Sequence, residues 1–316
     1  MRVATIDIGT NSVLLLIAEG DGAHPETLEP VYEASTITRL GQGVDKSRQL
    51  HPDAVKRTLS CLQDYTQAIR QHDVARLDVV STSAARDASG VEGFLASAEA
   101  VLGMRPRVIS GEQEARLTFR GALTGLSISG AVAVFDIGGG STEVVIGECG
   151  PGRLPAVHSA TSVDLGCVRL AERHLHSDPP TSHEIAQGRD SVERAFSGLR
   201  MPDADCTWIG IGGTITTLMA VEMGLSSYDA KRIHGARMSR DAVVELRKRL
   251  SALSLEERKG VVGLEPKRAD VIVAGALLVE GLLSLSGGDG SRVSDRGVRW
   301  GLALELCSPT LSAPRG

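Results

Sequence analysis

The sequence predicts an α/β fold made of two similar domains, and two observations carry that prediction. A short acidic turn occurs twice, first as Ala4-Thr5-Ile6-Asp7-Ile8-Gly9-Thr10-Asn11-Ser12 before the apolar run Val13 to Ala18. It recurs as Val134-Phe135-Asp136-Ile137-Gly138-Gly139-Gly140-Ser141-Thr142-Glu143 before Val144 to Gly147. Around each copy the hydrophobic pattern runs strand, strand, strand, helix, strand, helix, which marks a duplicated domain rather than a short solenoid repeat. At 316 residues the chain is long enough for two domains with a core each.

In order, residues 2–7 and 12–18 read as two strands of a hairpin and 31–40 as a third. Ser47 to His51 is loop, and Pro52 opens an amphipathic helix to about Gln71, proline being favoured in a first helical turn. Leu77 to Ser81 is a short buried strand that ends at Thr82-Ser83-Ala84-Ala85-Arg86-Asp87. A helix over 91–102, a strand at 107–109 and a helix from Glu112 to about Leu123 complete the first domain, residues 1–125. The small, polar segment Gly125 to Gly130 is the crossing to a second domain, 126–316. There, strands are expected at 131–136, 142–148, 156–164 and 207–211. Helices are expected at 166–175, 182–198, 214–223, 239–251, 254–259, 267–285 and 297–306.

Composition narrows the function. Apolar content of 42% and charged content of 23% are those of a globular protein, and a formal charge of −5 argues against a general DNA or membrane-surface binder. Five cysteines at 61, 149, 167, 206 and 307 form no C-x-x-C pair, so a reducing, cytoplasmic setting is expected. Val271 to Leu285, the most apolar long stretch, is too short to span a bilayer and contains Glu280.

The two turns suit phosphate. Glycine lets backbone N–H groups approach an anion closely, and the hydroxyls add donors. Asp7, Asp136 and Glu143 supply carboxylates that suit Mg²⁺, which takes few protein oxygens and bridges phosphates. Ser110 and Gln113 have capping-box spacing, which puts Glu114 in a first helical turn, where the helix dipole favours the ionised form. Such a glutamate beside a phosphate can act as a base towards water, although from spacing alone a helix-stabilising role is commoner. Arg86, after a run of small residues, is placed to grip phosphate oxygens, with a surface arginine at a helix start as the ordinary alternative. Gly210-Ile211-Gly212-Gly213-Thr214 ends a strand and opens a helix, an anion-binding arrangement that is neither G-x-G-x-x-G nor a P-loop. The basic run Lys231, Arg232, His234, Arg237, Arg240 reads as solvated surface rather than an extension of a groove.

Taken together, the segments DIGTNSVLLLIA, TRLGQGVD, STSAARDA, VISGEQEARL, FDIGGGSTEVV, LGCVRL, GIGGTITTL and VSDRGVRWGL resemble the exopolyphosphatase and guanosine pentaphosphate phosphohydrolase family. They run in order from residue 5 to residue 302. The resemblance implies two ribonuclease H-like domains of the actin, sugar kinase and chaperone ATPase superfamily, with a cleft between them and the final helix, about 297–306, packed back on the first domain. It implies Mg²⁺-dependent release of terminal phosphate from polyphosphate or pppGpp. By motif, Glu114 matches the catalytic base rather than Glu112. Gly9, Asn11, Ser12, Arg86, Gly138, Gly139, Gly140 and Ser141 match phosphate-handling positions, and Asp7, Asp136 and Glu143 match metal positions.

Long family members carry further C-terminal helical domains, and this chain ends soon after its second domain, so shorter polyphosphates are the expected substrate. A homodimer is compatible with this reading. The alternatives are pppGpp 5′-phosphohydrolysis at the same site, a kinase or actin-like ATPase on the same fold, and a non-catalytic sensor of phosphate polymers.

Overall fold

The computed structural model describes residues 1–21, 24–150, 153–200, 202 and 205–307. Its contacts divide the chain into two compact units, Met1–Gly125 with the segment from Gly297 onward, and Leu126–Arg296.

The first unit is built on a five-stranded sheet. β1 (Arg2–Ile8) and β2 (Ser12–Asp21) form the expected hairpin, and β3 (His24–Ile37) pairs with β2 from Asp21↔His24 to Ser12↔Ile37. β3 thus starts earlier than the expected 31–40, because the long β2 offers partners along its whole length. It also ends earlier, because Thr38 and Arg39 leave the ladder and donate their N–H groups to the carbonyl of Asn11.

A single helical turn α1 (Val44–Ser47) precedes α2 (Pro52–Arg70), whose N-cap is His51. Next come β4 (Arg76–Ser81), the short α3 (Ser83–Asp87), α4 (Glu92–Leu102), β5 (Arg107–Val108) and α5 (Gly111–Leu123). Neither α1 nor α3 was expected, since segments of one turn carry no measurable periodicity. The strand order is β3-β2-β1-β4-β5, with β1, β4 and β5 parallel.

Alternation along β1 and β2 puts one set of side chains on each face. Ala4, Ile6, Ile8, Val13, Leu15 and Ile17 pack with Leu62 of α2 and Leu95 of α4. Val3, Leu16 and Ala18 face the other way.

The second unit repeats the opening order of three antiparallel strands, helix, strand and helix, and its sheet has six strands. β6 (Gly130–Ile137), β7 (Thr142–Gly150) and β8 (Arg153–Val163) form the antiparallel part, followed by α6 (Cys167–His174), α7 (Ser182–Phe196), β9 (Thr207–Ile211) and α8 (Gly212–Glu222). Beyond them lie α9 (Ala230–Ile233), β10 (Arg237–Ser239), α10 (Arg240–Ser251), α11 (Leu255–Lys259), α12 (Ile272–Leu285) and β11 (Gly290–Val293). The sheet order is β10-β11-β9-β6-β7-β8, so β8-β7-β6-β9 reproduces β3-β2-β1-β4. β10, at the edge, and β11, between it and β9, have three and four residues, too few to stand out in the sequence.

The helix expected over 267–285 begins only at Ile272, with Pro266–Arg268 forming a separate 3₁₀ turn. Almost every face of α12 is buried, which explains its unbroken apolar run. Among the described residues no helix is long and apolar enough to cross a membrane.

The C-terminal helix α13 (Val298–Cys307) belongs to the first unit, while residues 308–316 of the expected second domain lie outside the described residues. Trp300 and Ala303 pack under Val3, Leu16 and Ala18, and Leu302 joins Val80, Ile109 and Leu117. Its crossing with α5 is set by two glycines. A Cβ on Gly121 would strike the carbonyl of Gly297, and one on Gly301 would strike the carbonyl of Leu117.

Because the contact at Gly301 is backbone, no side-chain movement can make room. Gly301→Val is expected to lower the unfolding free energy by about 1–3 kcal/mol. Gly93→Ala, on an open face of α4, should raise it by up to about 1 kcal/mol. Urea denaturation of both variants checks this pair, and a neutral Gly301→Val would refute the close crossing.

Candidate active site

Three parallel strands of the first unit end at one edge, and the segments that leave them carry the candidate residues. Ile8 and Ser81 are register partners in β1 and β4, Thr82 donates to the carbonyl of Ile8, and Ile109 donates to the carbonyl of Ser81. The acidic turn, the STSAARD segment and the start of α5 are therefore neighbours. Ligands of α/β sheets commonly bind at this end of the strands. The side chains meet as well: Thr10 Oγ1 and Ser83 Oγ are 2.6 Å apart, and Arg86 Nη1 donates to Glu114 Oε2 at 2.6 Å and to the Ile109 carbonyl at 3.0 Å.

The two turns are built alike. Gly9 N–H donates to the Ser12 carbonyl and Gly138 N–H to the Ser141 carbonyl, each at 3.0 Å, closing four-residue hairpin turns. Those two amides are engaged within their turns. In the first turn the carbonyl of Thr10 accepts from Gly41, and that of Asn11 accepts from Thr38 and Arg39. In the second, the carbonyls of Gly138 and Gly139 accept from Cys167, Val168 and Arg169 at the start of α6.

In a trans peptide the N–H points opposite to the C=O. With the carbonyls drawn to one side, the amides of Asn11 and Ser12, and those of Gly139 and Gly140, turn to the other. The geometry suits anion binding by successive backbone donors. Asn11 adds a side-chain donor, since its Nδ2 is buried without a hydrogen-bond partner in the protein. The second turn depends on Gly166, because a Cβ there would strike the backbone of Gly138 and Gly139.

Glu114 sits as expected in the first turn of α5, below a complete Ser110–Gln113 capping box. Its electrostatics differ from the expectation. Burial raises its pKa above the usual carboxylate range, and this outweighs the opposing effects of the Arg86 charge and of hydrogen bonding from Arg86 and Thr82. A helix N-terminus favours the charged form only modestly, whereas loss of water from a carboxylate that is 8% exposed costs more. Glu112 by contrast is exposed and pairs with Arg116 one turn on, which leaves it in the helix-stabilising role. Arg86, expected as a phosphate grip, holds the carboxylate of Glu114.

In the second unit Asp136 and Glu143 are directly opposite in the β6–β7 register, so their side chains share one face of the hairpin. Glu143 is 3% exposed and accepts from Ser162 Oγ at 2.8 Å. Asp136 packs against Gly212, where φ is +82° and a Cβ would overlap its carboxylate. Like charges at facing positions are unfavourable unless neutralised, so this hard-oxygen pair beside a side-chain-free backbone fits a divalent cation. Asp7 holds the equivalent position in the first unit, but its register partner there is Leu14. Among the described residues no three His, Cys, Asp or Glu side chains converge as a metal cage. Mg²⁺ bound by one or two carboxylates, with waters and substrate phosphate completing its shell, needs none.

Some neighbours were not evident in the sequence. Arg268 lies against Gly213, its guanidinium occupying the place of a Cβ at the start of α8. No spacing distinguishes it among 28 arginines. Ser162 carries no local signal either, since it acts through strand pairing, and Gly166, although within the LGCVRL segment, shows its close approach to Gly138 and Gly139 only in the fold. The basic run does not form one surface. Lys231 and Arg232 are exposed on α9, His234 Nδ1 lies 3.0 Å from Asp295, and Arg237 pairs with Asp289.

Comparison with known proteins agrees in extent with this architecture. Residues 16–308 match the Ppx/GppA phosphatase family. The chain is 41% identical over 319 aligned positions to exopolyphosphatase 2 of Mycobacterium tuberculosis, covering 96% of this chain and 98% of that protein. It is 28% identical to the guanosine-5′-triphosphate,3′-diphosphate pyrophosphatase of Vibrio atlanticus, covering 96% of this chain and 59% of that protein. Among solved structures, the Aquifex aeolicus PPX-GPPA enzyme superposes with a TM-score of 0.80 at 35% identity, covering 96% of this chain and 99% of that one. The two α/β units, their paired acidic turns and this full-length similarity together make the chain a member of the Ppx/GppA phosphatase family.

Proposed function

We propose that the protein is an exopolyphosphatase that releases terminal orthophosphate from inorganic polyphosphate by attack of water. The observation that carries the reading is the placement of a buried glutamate, its pKa raised by desolvation and its position held by Arg86, at the strand edge that also bears the acidic turn. Identity to a relative named exopolyphosphatase over nearly its whole length supports the choice of substrate.

In this reading Glu114 takes a proton from the water that attacks the terminal phosphorus. The bond to the bridging oxygen breaks, and orthophosphate and a shortened chain leave. In the first unit, Gly9 closes the turn, Asn11 and Ser12 offer amide donors, and Arg86 orients the base. In the second, Gly138, Gly139, Gly140 and Ser141 form the equivalent donor turn. Asp136 and Glu143, with Asp7 as the matching carboxylate of the first unit, are the proposed holders of Mg²⁺. When bound, the cation supplies charge neutralisation for phosphate oxygens near the carboxylates. No covalent enzyme intermediate is needed, since positioning and charge stabilisation carry phosphoryl transfer. All five cysteines are free thiols, which suits a reducing cytoplasmic setting.

A second reading, hydrolysis of the 5′ terminal phosphate of pppGpp, is favoured by the Vibrio relative and uses the same groups. Phosphate release measured in parallel on short polyphosphate, long polyphosphate and pppGpp separates the two. The wild type is expected to prefer polyphosphate to pppGpp, and Glu114→Gln to bind polyphosphate while losing turnover by about 10²-fold or more. Preference for pppGpp would replace the first reading with the second, and near-normal release by Glu114→Gln would remove the base assignment.

The pH profile has a defined sign. The base works ionised, so turnover falls as pH drops through the raised Glu114 pKa, placing the acid limb above the usual carboxylate range. The Arg86 charge lowers that pKa, so Arg86→Met should move the limb to higher pH, with greater loss of kcat at acid than at alkaline pH. An unmoved limb would show that another group sets it.

For the metal, chelation should abolish turnover and added Mg²⁺ should restore it. Asp136→Asn should raise the Mg²⁺ concentration needed for half-maximal activity by about 10-fold or more. Full activity in chelator would exclude the metal role.

A further inference from the structure

Three side chains stand in one row across the sheet of the second unit. Asp136 on β6 is the register partner of Glu143 on β7, and Glu143 is in turn the register partner of Ser162 on β8. Residues that face each other on neighbouring strands project from the same side of a sheet, with Cβ atoms about 5 Å apart. The row therefore reads aspartate, glutamate, serine on one face, beside the turn that Gly138 and Ser141 close. Within it Ser162 Oγ donates to Glu143 Oε1 at 2.8 Å.

The duplication isolates what this serine contributes. The same row in the first unit is Asp7, Leu14 and Ser35. A serine stands third in both rows, but only in the second unit is its register partner a carboxylate. β3 and β8 are edge strands of their sheets, and Ser35 and Ser162 are both exposed, so neither fills a core. What Ser162 has beside it, and Ser35 has not, is a buried glutamate, 3% exposed.

A glutamate side chain turns about three bonds, and freedom that must be given up when a ligand arrives subtracts from affinity. Asp136, one strand away, repels Glu143 and favours rotamers that turn it aside. A hydroxyl on the opposite neighbouring strand restrains that movement in advance, by fixing Oε1 through the sheet itself. Hydrogen bonds from outside the ligand set orient carboxylates on metal ions in this way.

Resting on the reading that Asp136 and Glu143 hold Mg²⁺, we propose that Ser162 is a positioning residue for that cation, its hydroxyl fixing the carboxylate of Glu143 in the orientation that receives the metal. Ser162 acts through Glu143 and is not itself a ligand.

The test compares the full-length wild type with Ser162→Ala, Ser162→Thr and Ser35→Ala. Mn²⁺ is the probe, standing in for Mg²⁺, and its binding is read from the loss of the free-ion electron paramagnetic resonance signal, without turnover. Ser162→Ala should bind Mn²⁺ about 10-fold or more weakly. The Mg²⁺ concentration for half-maximal tripolyphosphate hydrolysis should rise to match, with kcat at saturating Mg²⁺ kept within about twofold. Ser162→Thr retains the hydroxyl at an exposed strand position and should recover most of the affinity, and Ser35→Ala should bind as the wild type does. Mn²⁺ affinity of Ser162→Ala within about twofold of wild type would overturn the proposal and leave the metal reading standing. An equal loss in Ser162→Thr or in Ser35→Ala would overturn it too, as would a loss confined to kcat. If the wild type binds no Mn²⁺, the metal reading and this proposal both fall.

Discussion

The direction in which a few peptide carbonyls are spent governs the candidate site. In each hairpin turn the carbonyl oxygens are satisfied from one side, by the 38–41 loop in the first unit and by the start of α6 in the second. Trans peptide geometry then obliges the intervening amides to face the opposite way. A turn left to itself could rotate those peptides, and its donors would point anywhere. The packing around the turns therefore does more to orient those amides than the glycines alone. It also explains why Gly166 and Gly41 sit where backbones or Thr10 come too close for a side chain.

Burial sets the second property of the site. Glu114 stands where helix dipole, arginine charge and hydrogen bonds all favour the carboxylate, yet removal from water prevails and raises its pKa. A carboxyl group tuned this way is a stronger base once ionised than an exposed one. The same pairing redefines Arg86, whose bond to Glu114 orients that carboxyl group and moderates its proton affinity.

The second unit solves a different problem with the same hairpin. At the position opposite the aspartate, the first unit has Leu14 and the second has Glu143. One substitution across a strand pair converts a hairpin with one acidic residue into one with two, so the duplicated turns are equivalent in backbone and unequal in charge. Asp136 and Glu143 concentrate hard oxygen donors in the second unit, while the first unit buries the carboxyl group of Glu114.

Much of this organisation was legible in the sequence. The Asp-Gly turns, the alternation of β1 and β2, the capping box before Glu114 and the repeated element order are local patterns, and local patterns are fixed by dihedral preference and hydrophobic period. The family resemblance followed from the same segments. What the sequence could not carry are relations among distant residues: the Arg86–Glu114 pair, the grip of the 38–41 loop on Asn11, Arg268 against Gly213, and the glycine crossing of α5 and α13. Each depends on strand order and close approach, quantities that no spacing along the chain encodes. By itself the sequence determined the family resemblance, the duplicated turns and the helix start that carries Glu114. Only the tertiary structure decided their partners, because burial and carbonyl orientation are properties of the packed chain.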